Sequence, residues 1–295
     1  MKSKAQNSET YQKLVTLCFD EMYTSHKIEI DQKNEQVVRP HRTCQVGMVR
    51  RLFEHYKQLV YYDFDKELSV DMINQLISDL YDNGFIVVAL TCDFGSTNQG
   101  VFTKLNVGAR SNRKCYFPHL KNSNYKVFAF ADIPHLLKLL RNHFIDSGFE
   151  INGRYITKDC IEDIIKLNKD ANSDVSAFYN ITNELVTVKS AERQKVSKAA
   201  KLMSNTVSRS INFLNDQGLL KSDNCEETSE FIKLVDSWFD FFNSKCGVTY
   251  KIAKEPCGKK LEKQNEFLTQ IENTISNLKV INPDNQCCHF KKEYY

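Results

Sequence analysis

The chain has 295 residues, with 40 Lys+Arg against 37 Asp+Glu for a formal net charge of +3, which excludes a strongly basic, histone-like binder. A hydrophobic content of 41% with only 10 Gly and 5 Pro excludes a collagen-like or disordered chain and allows one large or two ordinary domains. A mean hydropathy of −0.46, with no apolar run near the roughly 20 residues that span a bilayer, excludes a transmembrane protein. The opening MKSKAQNSETYQK has no apolar core and does not read as a secretory signal.

In chain order, Lys13–Phe19 (KLVTLCF) is a short apolar, β-branched run that ends on Asp20. Gln45–Phe53 and Gln58–Asp63 are two further strand candidates. Ser69 reads as a helix N-cap, with Met72, Ile73, Leu76, Ile77 and Leu80 behind it at helical spacing and Gly84 as the stop. Phe85–Thr91 (FIVVALT) suits a central parallel strand and leads to Asp93. A polar turn with Gly95 and Asn98 opens the next helix. Lys126–Ala131 (KVFAFA) is a strand ending on Asp132, and Pro134 opens a helix carrying Leu136, Leu137, Leu139 and Leu140. Strands joined by helical crossovers make the first part an α/β domain.

Beyond about residue 133 helical patterns dominate: Ile161–Leu167, Ala191–Leu202, Val207–Leu214, Glu227–Asn243 and Leu261–Leu278. The expected division is therefore 1–132 and 133–295. Trp238 is expected to anchor the second core. The 10 cysteines are scattered without a CxxC pair. Cys18 and Cys92 read as small buried thiols, and Cys287, Cys288 and His289 make a poor zinc site.

Asp20, Asp93 and Asp132 each directly follow an apolar strand candidate or lie one residue beyond it. The carboxyl ends of strands in an open α/β sheet are where sites form. Carboxylates gathered there repel one another and suit an oxygen-loving cation, Mg²⁺ or Mn²⁺. An Asp after a strand is also ordinary turn chemistry, and both readings stand at this point.

Several segments together carry a resemblance: FDEM at 19–22, LVYYDFD at 59–65, VVALTCDFGSTNQ at 87–99, FADIPHLLKLLRNHFIDSG at 130–148 and WFDFFNSK at 238–245. They resemble P-element transposases, the THAP-type DNA transposases. The resemblance implies an RNase H-like catalytic domain of the DDE type with a mixed sheet and helices, followed by a mostly α-helical, GTP-binding insertion domain. It assigns Asp20 and Asp93 as catalytic, metal-binding residues. Asp132 does not match a catalytic position and falls in the segment entering the insertion.

The same resemblance places Lys195, Val196, Ser204, Phe239, Asp240 and Asn243 on positions lining the guanine nucleotide. The residue types fit: a Lys for phosphates, a Phe for stacking, and an Asp for the guanine N–H edge or a metal ion. No GxxxxGK[ST] is present. The family's NKxD-like stretch is not intact in LNKDANSDVS at 167–176, where the alignment favours Asp174 as the equivalent acid.

The family's third catalytic Glu, on a helix after the insertion, and its N-terminal THAP zinc finger have no match in this sequence. The expectation that follows is a truncated or domesticated transposase that does not transpose by itself. The implied partners are DNA (transposon ends), guanine nucleotide, and another copy or a full-length transposase, with no membrane; the implied location is nuclear. A competing function is a helix-turn-helix regulator over 195–222, with Ser208 and Arg209 exposed on the second helix. Another is a non-catalytic partner of full-length transposase. His135 either touches phosphate or metal near Asp132 or, the favoured reading, is a satisfied, partly buried residue of an apolar helix; Lys138 and Arg141 share its face and either line a DNA or nucleotide phosphate path or are solvated, and Arg50–Arg51 reads as a surface pair.

Overall fold

The computed structural model describes residues 9–25, 27–31, 33, 35–38, 40–108, 113–170, 178, 180–243, 255, 258–281 and 288–289. The chain divides into two compact units, the first running to Asp132 and the second starting at Ile133.

The first unit is built on strands β1 (Leu14–Tyr23), β2 (Glu29–Asp31), β3 (Gln36–Val38), β4 (Thr43–Arg51), β5 (Lys57–Phe64), β6 (Ile86–Cys92), β7 (Tyr116–Pro118) and β8 (Lys126–Ala131). Helix α1 (Val70–Asp82) precedes β6 and helix α2 (Ser96–Lys104) follows it. Six strands form one sheet in the order β5-β4-β1-β6-β8-β7, while β2 and β3 make a separate hairpin. β1, β6 and β8 run parallel; β4, β5 and β7 pair antiparallel. The sheet is therefore mixed, with its parallel strands at the centre.

Alternation along β1 sends Val15, Leu17 and Phe19 into a core shared with Ile73 and Ile77 of α1 and Leu90 of β6. Ser69 caps α1 by accepting from the Met72 amide at 3.2 Å. On the opposite face, Cys18 pairs with Met48, Met48 with Leu59, and Ala89 with Phe128. There Met48, Leu59, Phe128 and Phe130 remain exposed.

Two expectations change. β1 does not stop at Asp20 but continues to Tyr23, because β4 keeps pairing with it through Asp20↔Val46, Glu21↔Gln45 and Met22↔Cys44. Arg51 is not a surface residue: it is 7% exposed, ion-paired with Glu54, and stacked over Tyr56 and Phe85 at 5.3 and 5.5 Å from their centroids. Arg50, one residue earlier, points the other way and is exposed.

The open ends of β4 and β5 are tied by Asp65. Its carboxylate accepts from the Arg42 amide at 2.8 Å and the Thr43 amide at 3.1 Å, and its other oxygen meets His41 Nδ1 at 2.8 Å. The His41 hydrogen bond, with the two amides, holds the Asp65 carboxyl at about 2. This value lies below that of the unfolded chain. The contribution is thus complete above the ordinary carboxylate range and is lost as pH falls through that range toward 2. An acid titration followed by near-UV circular dichroism is expected to show loosening there, and Asp65→Asn to flatten that limb. An identical profile for the variant would contradict this role.

The second unit contains α3 (Ile133–Asp146), β9 (Phe149–Ile151), β10 (Arg154–Ile156), α4 (Asp159–Asp170), α5 (Asn183–Val186), α6 (Val196–Leu202), α7 (Asn205–Asp216), α8 (Cys225–Phe242), α9 (Leu261–Asn277), β11 (Lys279–Val280) and β12 (Cys288–His289). Leu137, Phe144, Ile161, Ile164, Leu202, Ile211 and Ile232 are buried, and Trp238 is buried beside Phe242. The unit is mostly helical but also carries a small sheet ordered β10-β9-β11-β12. Its strands are two or three residues long, too short for an alternating pattern to announce them.

Candidate metal centre and nucleotide site

Asp20 lies within β1, three residues before its end, while Asp93 and Asp132 directly follow β6 and β8. β1 and β6 are paired in parallel up to Cys18↔Thr91. Neighbouring strands lie about 4.8 Å apart, so continuing that register by two residues sets Asp20 beside Asp93. β6 and β8 are paired up to Cys92↔Ala131, and the Asp132 amide donates to the Cys92 carbonyl at 2.9 Å. The same continuation brings Asp132 to the other side of Asp93. β6 has ended by this point while β1 runs on, so Asp20 stands exposed at the rim.

Two amide side chains brace this rim. Asn98, in the first turn of α2, donates through Nδ2 to Asp93 Oδ1, and the Gly95 amide reaches the same oxygen at 3.3 Å. Both known partners fall on Oδ1, which orients the carboxylate. Gln45, 4% exposed, donates through Nε2 to the Asp20 carbonyl at 3.1 Å. Sequence reading took Asn98 as turn chemistry and passed over Gln45; the DxxxxN spacing from Asp93 was the available signal for the first. Cys92 is buried beneath the rim, where burial first and the Asp93 charge second push its thiol up to about 12.

Asp20 Oδ1 accepts from the Glu21 amide at 2.9 Å, so each carboxylate has one oxygen engaged, and carboxylate oxygens of this kind suit a hard divalent cation that keeps several waters or takes further oxygens from a substrate. Among the described residues no group of three or more His, Cys, Asp or Glu side chains is arranged to hold a metal.

In the second unit, α3 packs against the 190–194 turn, α6 and α8. One support thus carries the elements bearing Lys195, Val196, Phe239 and Asp240. Lys195 is exposed and lies 3.7 Å from Glu192. Val196, Phe239 and Asp240 are half-buried, and Asn243 is exposed at the end of α8, its amide donating to the Phe239 carbonyl at 2.9 Å. The Ser204 hydroxyl caps α7, accepting from the Val207 amide at 3.4 Å and donating to the Lys201 carbonyl at 2.9 Å. Asp174 lies outside the described residues.

Two side chains differ from expectation, Ser208 and Arg141. Ser208 is not exposed: it is 1% exposed and shares a 2.9 Å hydrogen bond with Ser229, because Val207, Ser208, Ile211 and Leu214 form the stripe of α7 that packs on α8. Arg209 on the outer face is exposed. Arg141 is fully buried, whereas its neighbour His135 is half-buried.

Two family models match the chain. The TNP-like RNase H N-terminal domain covers residues 1–106 and so contains both Asp20 and Asp93; the TNP-like GTP-binding insertion domain covers residues 134–256. The chain belongs to the P-element transposase family. Within that family it is 38% identical over 261 residues to the transposable element P transposase of Drosophila melanogaster, covering 88% of this chain and 34% of the fly protein. It is 28% identical over 205 residues to the human DNA transposase THAP9, covering 66% of this chain and 22% of that protein. It also resembles a chain of the Drosophila P element transposase strand transfer complex, with a TM-score of 0.86, 33% identity, and coverage of all of this chain and 65% of that one. This P-element-type chain therefore spans about a third of the length of its fly relative. Its first unit is RNase H-like and its second is an insertion domain of the GTP-binding type. Among the described residues no helix of this transposase relative is long and apolar enough to cross a membrane.

Proposed function

We propose that the first unit is the metal-dependent, DNA-processing part of a transposase. The observation that supports this is the parallel register of β1 against β6, paired up to Cys18↔Thr91, two residues before Asp20 and Asp93. Asp20 and Asp93 would hold Mg²⁺ or Mn²⁺, which binds through one or two carboxylates together with substrate phosphates. Such an ion, when bound, polarises a phosphodiester and stabilises the charge that develops on its oxygens. The chain's own residues set up the rest. Asn98 and Gly95 fix one oxygen of Asp93, and Gln45 fixes the backbone at Asp20. The strand transfer complex of the fly relative supports DNA as the substrate, and a chromosomal substrate implies a nuclear protein.

The second unit binds a guanine nucleotide as a cofactor for assembly rather than as fuel. The family model for residues 134–256 and the grouping of the Lys195–Val196 and Phe239–Asp240 elements around α3 support this. Lys195 meets phosphates, Phe239 offers a stacking face, and Asp240 accepts from the guanine edge or holds a cation. Isothermal titration of the full chain is expected to show binding of GTP and not of ATP. Asp240→Ala should weaken it about 10-fold or more, since a hydrogen bond to a charged group contributes about 1.5–3 kcal/mol. Absence of heat with GTP would overturn the nucleotide reading.

A further inference from the structure

Helix α3 carries a buried charge that neither site uses directly. Arg141 is 0% exposed. Its Nη2 donates to the Arg193 carbonyl at 2.9 Å. Among the described residues nothing accepts from its Nε or Nη1. The neighbouring acid, Asp146, gives both its oxygens to Arg193 instead, one of them at 3.0 Å from Nη1. Lys138, one turn before Arg141 on α3, donates to Gln194 Oε1 at 3.3 Å. Three side chains of one helix therefore grip two consecutive residues of the 190–194 turn. The next residue is Lys195.

This grip is a poor device for stability. A buried guanidinium with two unserved nitrogens loses its hydration without full repayment. Burial and the Arg193 charge both press against its charged form. An apolar side chain of similar length at such a position is commonly neutral or stabilising. What the guanidinium does achieve is directional. It holds the backbone two residues ahead of Lys195, at the entrance to α6, and α6 has only seven residues with no side-chain cap of its own.

We propose that Arg141 is a positioning residue for guanine-nucleotide binding: from inside α3 it fixes the backbone at Arg193, and so the direction in which Lys195 and Val196 meet the nucleotide. This rests on the nucleotide reading above. It does not require Arg141 to touch the ligand, and its complete burial keeps it from doing so.

The test uses the full chain, titrated with GTP by calorimetry and melted in parallel. Arg141→Met is expected to bind GTP at least tenfold more weakly than the parent while melting at the same or a higher temperature. Arg141→Lys, which keeps the charge and a donor, should recover part of the affinity. Parent-like affinity in Arg141→Met overturns the proposal. So does a fall in melting temperature, or loss of folded protein, alongside the weaker binding, because that marks a structural role. If the parent itself binds no GTP, the nucleotide reading fails and takes this proposal with it. That outcome is distinct from a parent that binds and a variant that binds equally well.

Discussion

Asp93→Asn is expected to weaken Mn²⁺ binding to the full chain, in the presence of a short DNA duplex, by at least about tenfold. Losing only an outer partner of a metal ligand costs about 10- to 100-fold in affinity, and in the proposed centre Asp93 is itself a ligand, so its loss is expected to cost at least as much. Asn at this position keeps a side-chain oxygen to accept from Asn98 and the Gly95 amide. The variant should therefore melt no lower than the parent, as is common where a functional cluster is held at the expense of stability. Asn98→Ala leaves the carboxylate but removes its brace, and a smaller loss is expected. Electron paramagnetic titration of free Mn²⁺ reads the binding directly and does not depend on turnover. Equal affinity in parent and Asp93→Asn would remove the basis for a metal centre here.

Gly148→Ala is expected to destabilise the second unit by about 2–4 kcal/mol, combining the cost of a left-handed alanine with a clash against backbone. Gly148 ends α3 with φ +74. Its amide donates to the His143 carbonyl at 3.0 Å and its carbonyl accepts from the Ile281 amide at 3.2 Å, so the chain cannot relax away. A Cβ there would lie 2.8 Å from the Ile156 carbonyl oxygen, a backbone atom that cannot rotate aside. The position joins α3, β9–β10 and the segment after β11, so the strain falls on the small sheet as a whole. Urea denaturation measures the difference, and a change under about 1 kcal/mol would show that the turn adjusts.

Much of the fold was legible because its signals are local. FIVVALT, KVFAFA and the Ser69-capped helix each state their conformation within a few residues, through an apolar run, alternation or a cap. The family motifs added the functional sense of Asp20 and Asp93. Less legible were β7 and the β2–β3 hairpin. They are three-residue strands, and β7 is defined only by pairing with β8.

Charged and polar side chains marked the limit of local reading. Arg51 and Arg141 carry the same residue type as exposed Arg50 and Arg209, yet they are buried. Ser208 and Arg209 are adjacent on α7, and only its packing on α8 separates the buried one from the exposed one. For Arg51 the deciding partners are Tyr56, Phe85 and Glu54; for Arg141 they are the backbone of Arg193 and the surrounding core.

By itself the sequence determined the order and type of the main elements, the two textures of the chain and the candidate acids, since hydrophobic periodicity and capping act over one or two turns. Only the tertiary structure decided that the strands leading to Asp20 and Asp93 lie side by side in parallel. That arrangement depends on β1 pairing in parallel with β6 across an intervening hairpin, two further strands and a helix, and no local property of either segment specifies that register. The same holds for β9 against β11 and for the grip of α3 on the turn before Lys195. Contacts between distant segments are set by which faces must be buried together, and that is a property of the assembled core.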